Sequence, residues 1–135
     1  QRQMCIRDRF RSGLIIPDEN VFWYTTETKE KLFDDPEEVL KRLGENTAVV
    51  CYNDEVAFGL VKCLLSAGRR VPEDVAVVSF DNSNLSWISQ VPITSLSYED
   101  RNIGRIAAQK LVDILDGRDV SSEVLPWTFI QKESS

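Results

Sequence analysis

Thr47-Ala48-Val49-Val50-Cys51-Tyr52-Asn53-Asp54-Glu55 is the stretch whose reading decides the fold. Its first part is a continuous apolar run of strand length, the pattern of a parallel strand covered on both faces, and it breaks abruptly into polar residues. Val56, Leu60, Val61, Leu64 and Leu65 then recur at helical spacing, and Gly68 is placed to close the helix as a left-handed C-cap. Val71-Pro72-Glu73-Asp74 turns the chain into a second apolar run, residues 75–80, which ends in another polar cluster, Asp81-Asn82-Ser83-Asn84. Strand, helix and strand joined by short loops predict a right-handed parallel crossover.

Working outward, a short helix is expected at 85–89, and Pro92-Ile93-Thr94-Ser95-Leu96 reads as a third strand. Ser97 with Asp100 forms a capping-box pattern before a helix through Ile103, Ile106, Ala107, Leu111, Ile114 and Leu115, ended by Gly117. The last strand, 124–130, contains Pro126 and so belongs at an edge or a bulge. Upstream, Pro17-Asp18-Glu19-Asn20 is a turn, and Val21-Phe22-Trp23-Tyr24-Thr25 suits a strand. Asp35-Pro36-Glu37-Glu38 announces a helix with a cap, a proline in its first turn and acids at the positive end of its dipole. Val39, Leu40 and Leu43 give that helix its apolar face, and Gly44 stops it. Residues 1–9 show no apolar periodicity and are expected to be a non-native or disordered start. The fold class that follows is α/β, a parallel β-sheet flanked by helices.

At 135 residues, 42% of them hydrophobic, the chain is large enough to bury the core of one α/β domain. A formal charge of −6 argues against a surface that tracks phosphates, since neutralising a nucleic-acid backbone needs an excess of Lys and Arg. No apolar run approaches the roughly 20 residues that span a bilayer, and the start lacks a signal-peptide core. A cytoplasmic protein without a membrane partner is expected. Cys5, Cys51 and Cys63 are an odd set without CxxC spacing, so a disulfide framework is a poor reading and buried free thiols a better one for Cys51 and Cys63. The chain has no histidine, which removes Ser-His-Asp and Cys-His catalysis. No GxGxxG or Walker loop is present. Neither a metal nor a cofactor is expected.

Ligands of open parallel sheets bind beyond the carboxyl ends of the strands, where loops and helix N-termini converge. Two strands deliver polar clusters there: Tyr52-Asn53-Asp54-Glu55 and Phe80-Asp81-Asn82. An amide that both donates and accepts, beside a carboxylate that accepts, matches the hydroxyls of a sugar ring. Tyr52 and Phe80 are of a type that stacks on a sugar's apolar face. The candidate ligand-binding residues are therefore Asn53, Asp81, Tyr52, Asp54 and Phe80. Other roles stay open: Asn53 or Asp54 serves equally as a helix cap, and Asp81 as an acceptor for loop amides. Asp54 and Asp81 as paired acids of a hydrolase are a weaker alternative, lacking a third ligand or a positioned base. Trp23, Trp87 and Trp127 read as core or interface aromatics rather than ligand platforms.

Further text extends the pattern: Ala57-x-Gly59, Gly68-x-x-Val71-Pro72-Glu73-Asp74-Val75, Val77-Val78-x-Phe80-Asp81-Asn82, Pro92-x-Thr94-Ser95-Leu96 and Ile103-Gly104-x-x-Ala107-Ala108. From Thr47 to the C-terminus the chain resembles the effector-binding domains of the lactose/galactose-repressor family and the related periplasmic sugar-binding proteins. Within the family, Thr25-Thr26-Glu27-x-Lys29-Glu30, Cys51-Tyr52-Asn53-Asp54-Glu55 and Ser83 with Ile88-Ser89 are most similar to the arabinose-repressor branch, whose head is of the GntR type.

The resemblance implies a type I two-lobe sensor fold with ligand in the cleft between lobes. Residues 10–135 are then part of such a domain, with 14–97 and 124–131 in the C-terminal lobe and the helix of 98–123 in the other. That helix is expected to expose an apolar face, and this stretch alone to bind sugar weakly. The resemblance further implies a sugar-responsive repressor, not an enzyme, that works as a homodimer. Its DNA-binding head would lie outside this chain, and its effector would be a small sugar such as L-arabinose. The same fold in a sugar-transport binding protein is the alternative. Asn53 and Asp81 stand where the family hydrogen-bonds its sugar. Tyr98 stands at a position that commonly carries Gln, and Ser79 replaces the usual Gly before Phe80-Asp81.

Overall fold

The computed structural model describes residues 17, 20–23, 25, 31, 33–98 and 103–135. The chain divides into two compact units, residues 1–45 and 46–135. The described part of the first unit is built around helix α1, Pro36–Leu43. Asp35 caps it: the side chain accepts from the amides of Glu37 at 3.1 Å and Glu38 at 3.2 Å, two donors the helix leaves unpaired. Gly44 takes a positive φ of 57° to end it, and Val39 and Leu43 form the buried stripe. The strand expected at 21–25 does not form among its described residues, 21–23 and 25. Among the described residues no neighbouring strand supplies the ladder that a strand requires. Phe22 instead lies under the Arg42 guanidinium, 4.3 Å from the ring centre.

The second unit is a sheet with the strand order β1-β2-β3-β4, where β1 is Ala48–Val50, β2 Ala76–Phe80, β3 Thr94–Ser97 and β4 Thr128–Ile130. The first three are parallel, with Val50 opposite Val78 and Phe80 opposite Leu96. The fourth runs antiparallel, Ser97 facing Thr128, so the sheet is mixed rather than wholly parallel. Pro126 precedes β4, which is an edge strand, and the ladder loses no donor to it. Helix α2, Asp54–Ser66, connects β1 to β2, and the short helix α3, Asn84–Ile88, connects β2 to β3.

Helix α2 supplies most of the core. Val56, Ala57, Leu60, Val61, Cys63 and Leu64 are buried on it, and it packs on β2 and α3. From the strands and turns come Val71, Val75, Val77 and Ile93. Along β2 burial alternates, with Val77 and Ser79 fully enclosed, as a period of two dictates. β1 departs from the expectation of cover on both faces: among the described residues it is an edge strand, and Val50 is 70% exposed. Gly68 closes the helical segment at φ 74°, in the left-handed conformation expected of it.

The C-terminal residues are stitched into the sheet. Ser134 is fully buried; its carbonyl accepts from the Val77 amide at 2.8 Å and its hydroxyl from the Thr94 amide at 2.8 Å. That hydroxyl donates in turn to the Val77 carbonyl. Helix α4, Ile103–Leu115, has no buried residue, and Leu111, Val112, Ile114 and Leu115 are all exposed. The capping-box partner Asp100 lies outside the described residues. No helix among the described residues is long and apolar enough to cross a membrane.

Candidate functional site

Because β1, β2 and β3 are parallel, the residues that follow them emerge at one edge of the sheet. Asn53 follows β1, Asp81 follows β2 and Tyr98 follows β3. Trp127 precedes the antiparallel β4 and so reaches the same edge. Each strand thus contributes one residue, in spatial order, to a row at about 4.8 Å per strand.

The residues of this row are held in different ways. Asn53 caps α2, its Oδ1 accepting from the Val56 amide at 3.0 Å, while its Nδ2 end takes no part in the cap. The side chain is half-buried, so the capping role and a place at the edge coincide in one residue. Tyr52, beside it, is exposed. Asp81 is exposed too, and its carboxyl is raised above the ordinary carboxylate range, first by burial and then by the charge of Asp54.

Asp54 departs from its expected place on the crevice wall. It is 1% exposed, and its own chain occupies both oxygens. Oδ1 accepts from the Ser95 hydroxyl at 2.8 Å and from the Ser79 hydroxyl, and Oδ2 accepts from the Ser83 amide. At the first turn of α2 the helix dipole also favours its negative charge. A buried carboxylate survives only when paired or bonded in this way. Its sequence neighbour Asn53 remains at the edge because the chain turns into the helix between them.

Aromatic rings close the other end of the row. Trp127 lies against Tyr98 with ring centres 3.8 Å apart and meets Phe80 edge-on at 5.4 Å. Trp127 is 42% exposed, so this cluster is partly open to solvent. The sequence reads Trp127 as a core or interface aromatic; the signal for its place at this edge is Pro126, which lies just before β4 begins.

The turn after β2 is held from below by Lys132. Its ammonium donates to Asn82 Oδ1 at 2.8 Å, Ser86 Oγ at 2.8 Å and the Ile93 carbonyl at 2.9 Å, and lies 4.2 Å from the Trp87 ring centre. Burial lowers its pKa, and the charge of Asp54 partly offsets that. Cys51 and Cys63 are free and buried, and burial, aided by Asp54, pushes the Cys51 thiol up to about 12. Cys51 therefore behaves as a small apolar side chain rather than a nucleophile.

The chain is similar in sequence and fold to known proteins. The periplasmic binding protein-like domain family matches residues 5–135. The arabinose metabolism transcriptional repressor of Geobacillus stearothermophilus is 32% identical over 118 residues, covering 85% of this chain and 32% of the repressor. That of Halalkalibacterium halodurans is 32% identical over 106 residues, covering 77% of this chain and 28% of the repressor. The chain therefore spans about a third of the length of these curated relatives. Among solved structures, the complex of the transcriptional regulator CelR with cellobiose superposes with a TM-score of 0.76 at 29% identity, covering 94% of this chain and 39% of that one. The chain belongs to the periplasmic binding protein-like domain family, in its lactose/galactose-repressor type.

Proposed function

We propose that this chain is the effector-binding part of a sugar-responsive transcriptional repressor. The observation that carries the reading is the row along one sheet edge, in which an amide, a carboxylate and an aromatic pair come from four neighbouring strands. Asn53 supplies donors, Asp81 accepts from hydroxyls, and Tyr98 with Trp127 offers ring surface to the apolar face of a sugar. Relatives that are themselves repressors support a regulator over a transport protein.

In this reading the sugar lies between the lobe formed by residues 14–97 and 124–131 and a second lobe that takes the helix of 98–123. The uncovered apolar residues of α4 support that division. DNA binding falls to a head outside these 135 residues, and the repressor acts as a homodimer in the cytoplasm, without catalysis, metal or cofactor. Sugar shifts the open–closed equilibrium by as much as its affinities for the two forms differ, and the operator affinity follows. L-arabinose is the proposed effector, on the strength of the named relatives.

The test is operator binding by the full-length protein with and without L-arabinose. Asp81→Ala is expected to keep DNA affinity and lose the response to sugar. A response equal to that of the unaltered protein overturns the assignment of Asp81.

A further inference from the structure

Asp81 and Asn82 are the non-glycine residues with positive φ among those described, at 100° and 49°. Such backbone is uncommon for residues with a Cβ, and it persists where the surroundings over-determine it. Here three successive amides are each given a fixed acceptor. Asp81 N donates to the Leu96 carbonyl at 2.9 Å, Asn82 N to the Ser95 hydroxyl at 3.0 Å and Ser83 N to Asp54 Oδ2 at 2.5 Å.

The last two acceptors are one device. The Ser95 hydroxyl donates to Asp54 Oδ1 at 2.8 Å, which fixes its rotor and turns its lone pairs toward Asn82. Ser79 donates to the same oxygen, and Asp54, Ser79 and Ser95 are almost wholly enclosed. A serine hydroxyl without that acceptor would be free to rotate and would hold Asn82 less firmly.

We infer that Asp54, acting through Ser95 and directly on Ser83, is the positioning residue that holds Asp81 in its conformation at the sheet edge. It sets ligand preference without touching ligand. This deepens the proposed function and rests on the reading of Asp81 as a sugar contact. Ser79 is part of the device: it adds a donor on Asp54 where glycine has none.

The experiment compares Asp54→Asn, Ser95→Ala, Ser79→Ala and the conservative Ser95→Thr in the full-length protein. Amide hydrogen exchange is followed at Asn82 and Ser83, and binding is measured by calorimetry with L-arabinose, D-galactose and cellobiose as probes. Asp54→Asn and Ser95→Ala are expected to speed exchange at Asn82 and Ser83 by at least about tenfold, leaving Val61 and Leu64 protected, and to weaken binding of the preferred sugar by a similar factor. Ser95→Thr, which keeps the hydroxyl, is expected to restore both. If Asp54→Asn does not fold, Ser95→Ala and Ser79→Ala carry the same comparison. Unchanged exchange at both amides in these variants overturns the positioning role, whatever the affinities. Unchanged binding of every probe in Asp81→Ala instead overturns the reading of Asp81 as a sugar contact, whatever the exchange rates.

Discussion

The Ser95 hydroxyl and the Asp54 carboxylate meet at 2.8 Å although 41 residues separate them in the chain. This one bond ties the start of α2 to the middle of β3, and the same hydroxyl accepts the Asn82 amide. Ser95→Ala leaves a part-buried amide and an enclosed carboxylate oxygen each short of a partner. Such a loss costs about 1–3 kcal/mol. Urea denaturation should show a drop of that size, and a change below roughly 0.5 kcal/mol would mean that the bond matters little.

Core and surface leucines should separate cleanly. Leu64 is completely buried on α2, so Leu64→Ala is expected to cost about 2–5 kcal/mol through lost transfer energy and a residual cavity. Leu115, at 77% exposed on α4, should change the stability of the isolated chain by less than about 0.5 kcal/mol when replaced by alanine. Denaturant midpoints of the two variants check both expectations, and equal effects would contradict the observed packing.

Asp81 gives a pH dependence whose sign follows from its raised pKa. The folded chain binds this proton more tightly than the unfolded chain does. Stability from this group is therefore complete below the ordinary carboxylate range and falls as pH rises through the raised value. Asp81→Asn should stabilise the chain at neutral pH by a few tenths of a kcal/mol, a small gain because water screens an exposed group. The gain should vanish near about pH 3, where both forms are neutral. Melting curves that run parallel across this range would show that Asp81 does not titrate as described.

Lys132→Met removes the donor shared by Asn82, Ser86 and Ile93. The replacement keeps a stem of similar length but not the charge that lies over the Trp87 ring. A loss of about 1–3 kcal/mol is expected, with faster amide exchange at Ser134. Protection at Ser134 equal to that of the unaltered chain would show that the ammonium does not anchor this segment.

Asp35→Ala should loosen α1 alone. Losing the cap that accepts from Glu37 and Glu38 costs about 1 kcal/mol of helix stability. Exchange at residues 37–40 should quicken while α2 is unaffected; a matching change in α2 would overturn the local reading.

Most of the architecture could be read locally. Periodicity in 56–65, the cap at Asp35-Pro36 and the run at 75–80 each correspond to an observed element, because each signal is confined to one turn or one strand. Val21, Phe22, Trp23 and Thr25 misled, since aromatic and β-branched residues fit a strand only where a partner strand exists, and no local text states that. Val50 has the composition of an enclosed strand residue, yet its strand lies at an edge. At the site, Asn53, Asp81 and Tyr98 emerge at one edge through topology alone. The burial of Asp54 was hidden because its partners Ser79, Ser83 and Ser95 lie 25, 29 and 41 residues away. Trp127 was likewise invisible as a partner of Tyr98 until β4 was seen to run antiparallel.

Ser134 gives the segment after β4 an unusual authority over the rest. By bonding both Val77 and Thr94 it works like a clasp fastened across two ribbons of backbone. A change of backbone path at Ser134 would strand the Thr94 amide and the Val77 amide and carbonyl without their partners. Loosening of this one residue would therefore reach two neighbouring strands at once, and the integrity of the sheet's middle rests on a side chain that belongs to none of its strands.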